Sequence, residues 1–271
     1  MRRHSCAIVG GWALILVGAA QAAPLEEATQ ALQDGDYSTA VKLLSPQAAL
    51  GDARAQSVLG AIYYNGWGVS RDYGQALHWF KAAADQGLAS AERALGVMYA
   101  NGQGVERSDA TAAAWYRKAA VQGETAAEVN LGLMYYNGQG LARSYSAAAF
   151  WCRKAALRGS AVAQYNLGLM YDSGQGLPKD PVAAVQWWRK AADQGDPDAQ
   201  NSLGAAYFLG RGAPRDAAAA YRWFKLTLVH YPPDDAQDRQ AALRNARLAA
   251  GRMTGAQVAR ADRLVAAWTP K

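Results

Sequence analysis

Outside its first 22 residues the chain holds few side chains suited to catalysis: His78, His230, Cys152 and a scatter of serines. A zinc or catalytic pair needs its members within bonding reach, and no Cys or His stands at ligand spacing beside either histidine. His78 occupies a place that Ala114, Phe150, Gln186 and Arg222 take elsewhere, so it reads as a variable surface residue. Cys152 stands where other segments carry Phe80, Tyr116, Trp188 and Phe224, which makes it a packing substitute for an aromatic ring. A nucleophilic thiol would want a positioned base, and none can be nominated. No serine lies in a G-x-S-x-G turn or an S-x-x-K helix. Gly-x-Gly recurs five times, at Gly66/Gly68, Gly102/Gly104, Gly138/Gly140, Gly174/Gly176 and Gly210/Gly212. No apolar strand precedes it, so the context of a phosphate-binding loop is missing. Neither catalysis, cofactor nor metal is expected.

These positions are comparable because the chain repeats. Units of 36 residues open at Leu59, Leu95, Leu131, Leu167 and Leu203 with LGAIYYNGWGV, LGVMYANGQGV, LGLMYYNGQGL, LGLMYDSGQGL and LGAAYFLGRGA. The first four close with AAADQG, KAAVQG, KAALRG and KAADQG. Such a period is the signature of a stacked helical solenoid. Gly51 falls level with Gly87, and Tyr37 with Tyr73, so a degenerate first unit begins near Ala23 and six units run over 23–231.

Ala163, Leu167, Met170 and Tyr171 share one face of a first helix expected from about Ser160 to Tyr171. A glycine inside it recurs (Gly60, Gly96, Gly132, Gly168, Gly204) at roughly 1 kcal/mol against alanine, which implies a close crossing by the second helix. The second helix is expected to start at N-caps Asp72, Ser108, Ser144, Asp180 and Asp216, with Pro181 in a first turn. Its buried face is expected to carry Trp79, Trp115, Trp151, Trp187 and Trp223. Beyond the period, Pro232-Pro233 stops the last helix, Asp234 or Asp235 starts another, and Thr254-x-x-Gln257 reads as the capping box of a helix ending at Trp268. Residues 232–271 are therefore a helical cap over the last stacking surface.

Arg2, Arg3 and His4, an apolar run from Ala7 to Ala20 and the small-residue site Ala20-Gln21-Ala22 read as a cleaved leader over 1–22, placing the product in the periplasm or outside the cell. The run is shorter than the roughly 20 residues needed to span a bilayer. Cleavage would leave 26 basic against 22 acidic side chains, a net of +4. Lys81, Arg117, Lys118, Arg153, Lys154, Arg189 and Lys190 fall near helix C-termini, where cations complement the helix dipole, so they read as solvated ends and not a nucleic-acid patch. With Cys152 alone after cleavage, the chain holds together by packing, which 51% hydrophobic residues permit.

The combination of LGxMYxxGQGV, an acidic or Ser helix start, WxRKAAxQG and a period of 36 resembles the Sel-one-like repeat (SLR) family, a relative of the tetratricopeptide repeat with a longer inter-helix loop. The resemblance implies an all-α, right-handed superhelical solenoid of helix-turn-helix repeats that works as an adaptor, gripping a protein or peptide in its groove; a small-molecule ligand is not expected. If the first helices line that groove, as the resemblance implies, Tyr64, Tyr136, Tyr165 and Phe208 form an aromatic stripe with Arg93 and Asp172 as polar discriminators. Aromatics and Arg dominate protein interfaces. The alternative, that the tyrosines pack between units, stays open. Trp67 replaces Gln103, Gln139, Gln175 and Arg211, and is either a partner anchor or a lid on the first unit. Two further functions come with the resemblance or the stripe: a β-lactam or cell-wall-active hydrolase, as in a cysteine-rich branch whose paired cysteines this chain lacks, and a polysaccharide-binding envelope protein.

Overall fold

The computed structural model describes residues 22–231 and 236–270. The leader expected over 1–22, and the expected stop and start at Pro232-Pro233 and Asp234 or Asp235, fall outside the described residues, Ala22 excepted. Among the described residues the regular structure is all helical: α1 (Ala22–Gln33), α2 (Tyr37–Ala49), α3 (Ala53–Asn65), α4 (Tyr73–Asp85), α5 (Ala89–Asn101), α6 (Asp109–Val121), α7 (Thr125–Asn137), α8 (Tyr145–Leu157), α9 (Ala161–Ser173), α10 (Pro181–Asp193), α11 (Pro197–Leu209), α12 (Ala217–His230), α13 (Ala236–Ala250) and α14 (Gly255–Ala266). They gather into two compact units divided between Arg143 and Ser144. In the first, each of α1 to α7 packs on its chain neighbours; in the second, α8 to α12 do the same and α12 carries both α13 and α14.

The starts of the second helices and the ends of the first helices have local causes. Asp72, Ser108, Ser144, Asp180 and Asp216 all cap a second helix, their side-chain oxygens accepting first-turn N–H groups. The first helices α3, α5, α7, α9 and α11 end on Gly66, Gly102, Gly138, Gly174 and Gly210, with φ between 69° and 75°, the left-handed conformation that glycine adopts without strain.

The glycine inside the first helix does mark a close crossing. A Cβ on Gly60, Gly96, Gly168 or Gly204 would stand 2.5–2.7 Å from a ring atom of Phe80, Tyr116, Trp188 or Phe224. That is nearer than carbon atoms pack. The ring on this glycine is not the recurrent tryptophan, which corrects the expectation: Phe80, Tyr116, Trp188 and Phe224 are 0–6% exposed and form the buried face, together with Cys152 at 2%. Trp79, Trp115, Trp151 and Trp187 each sit one position before these residues and are half-buried, and of the recurrent set only Trp223 is buried, at 2%. The half-buried rings carry lysines one turn on: Lys118 Nζ lies 4.0 Å from the Trp115 ring centre, Lys154 4.9 Å from Trp151 and Lys190 4.0 Å from Trp187.

Alanine-rich second helices meet invariant leucines here. Leu59, Leu95, Leu131, Leu167 and Leu203 are 0–1% exposed, and the alanines facing them let backbones approach. At the C-terminal end, Tyr221 donates to Asp262 (3.0 Å) and Lys225 lies 3.6 Å from the same carboxylate, tying α14 to α12. The Thr254–Gln257 capping box forms, and α14 stops at Ala266 with Trp268 just beyond, its ring 4.9 Å from His230.

Replacing Gly96 by Ala should therefore destabilise. Helix propensity favours alanine by about 1 kcal/mol, whereas overpacking against the Tyr116 ring costs roughly 1–3 kcal/mol. Urea unfolding should show a lower midpoint for Gly96→Ala, restored in part by adding Tyr116→Leu; a raised midpoint for the single variant would contradict the crossing.

Candidate functional site

Tyr64, Tyr136, Asp172 and Phe208 lie in the last turn of first helices, Trp67 in the turn that follows α3, and Arg93 and Tyr165 nearer the starts of α5 and α9; several of them are engaged across repeats. Tyr64 is half-buried, its hydroxyl donating to Gln103 Oε1 at 2.7 Å in the next repeat's turn and its ring edge-on to Tyr73 and Phe80. Burial pushes its phenol above the usual range. Asp172 makes the same kind of link, 2.9 Å from Arg211 Nε one repeat on. Phe208 is covered by the Arg252 guanidinium of the α13–α14 turn, 3.8 Å above its ring. Trp67 stacks on Tyr37 of the preceding repeat, centroids 5.5 Å apart and planes 22° from parallel. Tyr136 is half-buried.

One helical face differs between units. Ser57, Arg93 and Val129 are buried in the first unit, Arg93 at 4% with its Nε 3.1 Å from Glu124. Their counterparts Tyr165 and Asn201 in the second unit are partly exposed. Tyr165 bonds Ser202, and burial first, then the Asp198 carboxylate, raises its phenol well above the usual range. Asp198 accepts from Tyr231 at 2.6 Å. Beside Tyr165 on α9, Leu169 is 38% exposed.

Sequence reading missed a second recurrent set. Gln56, Glu92, Glu128, Gln164 and Gln200, three residues before each leucine, are 0–6% exposed. Gln56, Gln164 and Gln200 donate to the carbonyls of Ala48, Ala156 and Ala192, at the end of the preceding repeat. They also face the residue closing their own repeat: Gln86 donates to Gln56 (2.9 Å), Gln122 to Glu92 (2.7 Å) and Gln194 to Gln164 (2.8 Å). His230 takes the closing place in the last repeat, Nδ1 3.1 Å from Gln200 Oε1 and 2.9 Å from the Leu226 carbonyl, so that nitrogen carries the proton. The clue lay in the sequence as polar residues at the same 36-residue spacing.

A third set joins second helices to the next repeat. Arg117 donates to the Tyr135 hydroxyl (2.9 Å), Arg153 to Tyr171 (3.0 Å) and Arg189 to Tyr207. These arginines thus do more than end their helices.

Cys152 is buried, and burial alone pushes its thiol up to about 12. Among the described residues no group of three His, Cys, Asp or Glu side chains could hold a metal ion, and no helix is long and apolar enough to cross a membrane.

Two predictions follow from these environments. Iodoacetamide at pH 8 should leave Cys152 unmodified in folded protein and alkylate it fully in urea, read by mass; rapid native labelling would refute its burial. Burial is the largest influence on Glu92 and raises its carboxyl above the ordinary range. The folded state then holds the proton more tightly than the unfolded chain, so this group adds stability as pH falls from its folded pKa towards about 4.5 and withholds it at neutral pH. Glu92→Gln should raise the neutral-pH melting temperature and flatten that rise, because the new amide can reach the Ala84 carbonyl as Gln56 reaches Ala48. A lower melting temperature at pH 7 would refute this.

Comparison with known proteins places the pattern. The Sel1 repeat matches residues 53–88, 89–124, 125–160, 161–196 and 197–227. A crystal structure of a Sel1 repeat protein from Oxalobacter formigenes is 30% identical, with 82% of this chain and 96% of that one covered and a TM-score of 0.72. Pseudomonas aeruginosa PA5086 shares the fold at 22% identity and a TM-score of 0.50, over 86% of this chain and 83% of that one. No curated protein matches the chain.

Proposed function

We propose that this chain, which belongs to the Sel1 repeat family, is an exported adaptor that holds a protein or peptide partner on the exposed face of its first helices and does no chemistry of its own. Sel1 repeat proteins generally mediate protein–protein interaction, and the coarse reading follows from that. The finer one rests on a single contrast. The side chains that recur are those that couple repeats, whereas the partly exposed positions between them change type from unit to unit. On α9 and α11 these include Tyr165, Leu169 and Asn201, an aromatic, an aliphatic and a polar member, the composition that anchors partners. A rigid row of this kind binds without ordering itself first.

Export is the part supported by the leader. The basic start, short apolar run and Ala20-Gln21-Ala22 site belong to a secreted chain, and the absence of a needed disulfide is compatible with either side of a bacterial membrane.

Two measurements test the reading. Protein recovered from cells should begin at Ala23 and leave with the periplasmic or extracellular fraction; a chain starting at Met1 in the cytosol overturns export. A photo-crosslinker at position 169 should trap one dominant polypeptide, and Leu169→Glu should reduce its capture by roughly tenfold with the melting temperature unchanged, since Leu169 is 38% exposed. Capture that is indifferent to this charge places the partner elsewhere.

A further inference from the structure

A cleft of about 480 Å³ opens in the second unit between the turn joining α11 to α12 and the turn joining α13 to α14. Arg215 and Asp216 line one wall, Arg252, Met253 and Gln257 the other, and the first turn of α12 closes the floor. It is a feature of the last repeat meeting the cap.

The two arginines are held but not neutralised. Arg215 donates from Nε to the Leu209 carbonyl at 3.1 Å. Arg252 stacks on Phe208 and donates from Nη1 to the Phe208 carbonyl at 3.4 Å. Among the described residues neither has a carboxylate within ion-pair distance, unlike Arg107 with Asp109 at 3.3 Å or Arg211 with Asp172 at 2.9 Å. A guanidinium has five N–H donors, so each retains several aimed at no acceptor. The one carboxylate in the cleft, Asp216, accepts from the Ala219 N–H at 2.9 Å as the α12 cap. Two cations therefore face one anion already engaged by backbone.

We propose that this cleft binds an acidic peptide segment of a partner protein, two of whose carboxylates pair with Arg215 and Arg252. Planar guanidinium groups recognise carboxylates through paired N–H bonds, and side chains already fixed by carbonyls lose little freedom on binding. The first turns of α12 and α14 border the cleft and add partial positive charge. A lone small anion would leave the apolar part of the lining, Met253, Pro214 and Ala217, uncovered. A peptide covers it. The inference rests on the adaptor reading in taking a polypeptide as occupant, but its surface is separate from the α9 face and can fail alone.

The test uses labelled hexaglutamate, hexaglutamine and inorganic phosphate on the mature chain, followed by fluorescence anisotropy. Hexaglutamate should bind saturably, weaken as salt rises, and lose at least tenfold in affinity in the Arg215→Gln/Arg252→Gln protein, while Arg215→Lys/Arg252→Lys loses less. Thermal unfolding of both double variants checks that the cap stays docked; if the Gln pair loosens it, the Lys pair with Met253→Glu supplies the comparison, and that added charge should abolish binding. Equal binding of hexaglutamine, or hexaglutamate affinity unchanged in the variants, overturns the proposal. Displacement of the peptide by phosphate at equal concentration also overturns it, in favour of a small-anion site. Crosslinking at position 169 reads the adaptor face independently.

Discussion

The stack depends on one contact, an aromatic ring lying on a helical glycine. Two helices of a hairpin can pack closely only where one of them lacks a side chain, and Gly60, Gly96, Gly168 and Gly204 supply that gap under Phe80, Tyr116, Trp188 and Phe224. The cost in helix propensity is accepted at every repeat because the ring then buries nearly all its surface, worth several times as much. With the crossing point pinned, the rest of the unit has little freedom. The turn glycines must reverse the chain within a few residues, and the capping Asp or Ser must start the second helix at one position, or the ring would miss its seat.

Apolar contact of this kind gives cohesion within a hairpin but is tolerant of sliding between hairpins, since alanine faces are nearly featureless. Register between repeats comes from directional bonds instead. Arg117 to Tyr135, and Arg153 to Tyr171, reach from a second helix to the following first helix, while Gln56, Gln164 and Gln200 tie their helix starts to the end of the previous repeat. Buried amides that lose a partner are left unsatisfied at a cost of roughly 1–3 kcal/mol. A slip by one residue would break several at once. The same side chains are for that reason unavailable for recognition, which confines function to positions the bonds leave uncovered.

This division explains which features could be read from sequence. Period, helix pairing, N-caps such as Asp72 and the close crossing at the helical glycine all follow from residue type and spacing. The buried ring did not. Trp115 and Tyr116 are adjacent aromatics about 100° apart around one helix, and only the placement of Gly96 in space decides that Tyr116 faces inward while Trp115 stays half-exposed beneath Lys118. Arg93 and Tyr165 share a repeat position, yet the first is buried against Glu124 and the second meets Ser202, because neighbouring repeats differ. A variable position is thus a weak sign of exposure: variation also occurs where adjoining repeats co-adapt. The Gln row was present in the sequence at full periodicity, but polar residues beside an invariant leucine read as surface until the fold buries them.

The cap lies outside this logic, and its consequences differ. His230 ends the polar row in the place a glutamine takes in other repeats, bonded to Gln200, and the Trp268 ring packs edge-on against it. Termination needs a non-repeating element, and a non-repeating element meets the last repeat at a geometry that occurs once. Arg252 illustrates the result. It reaches Phe208 from the α13–α14 turn, where an internal repeat would present the residue equivalent to Gln103 or Arg211, and its charge stands beside that of Arg215, which has Ala217 where Arg107 has Asp109. A solenoid built to treat all its units alike acquires a distinctive surface at the place where the repetition is made to stop.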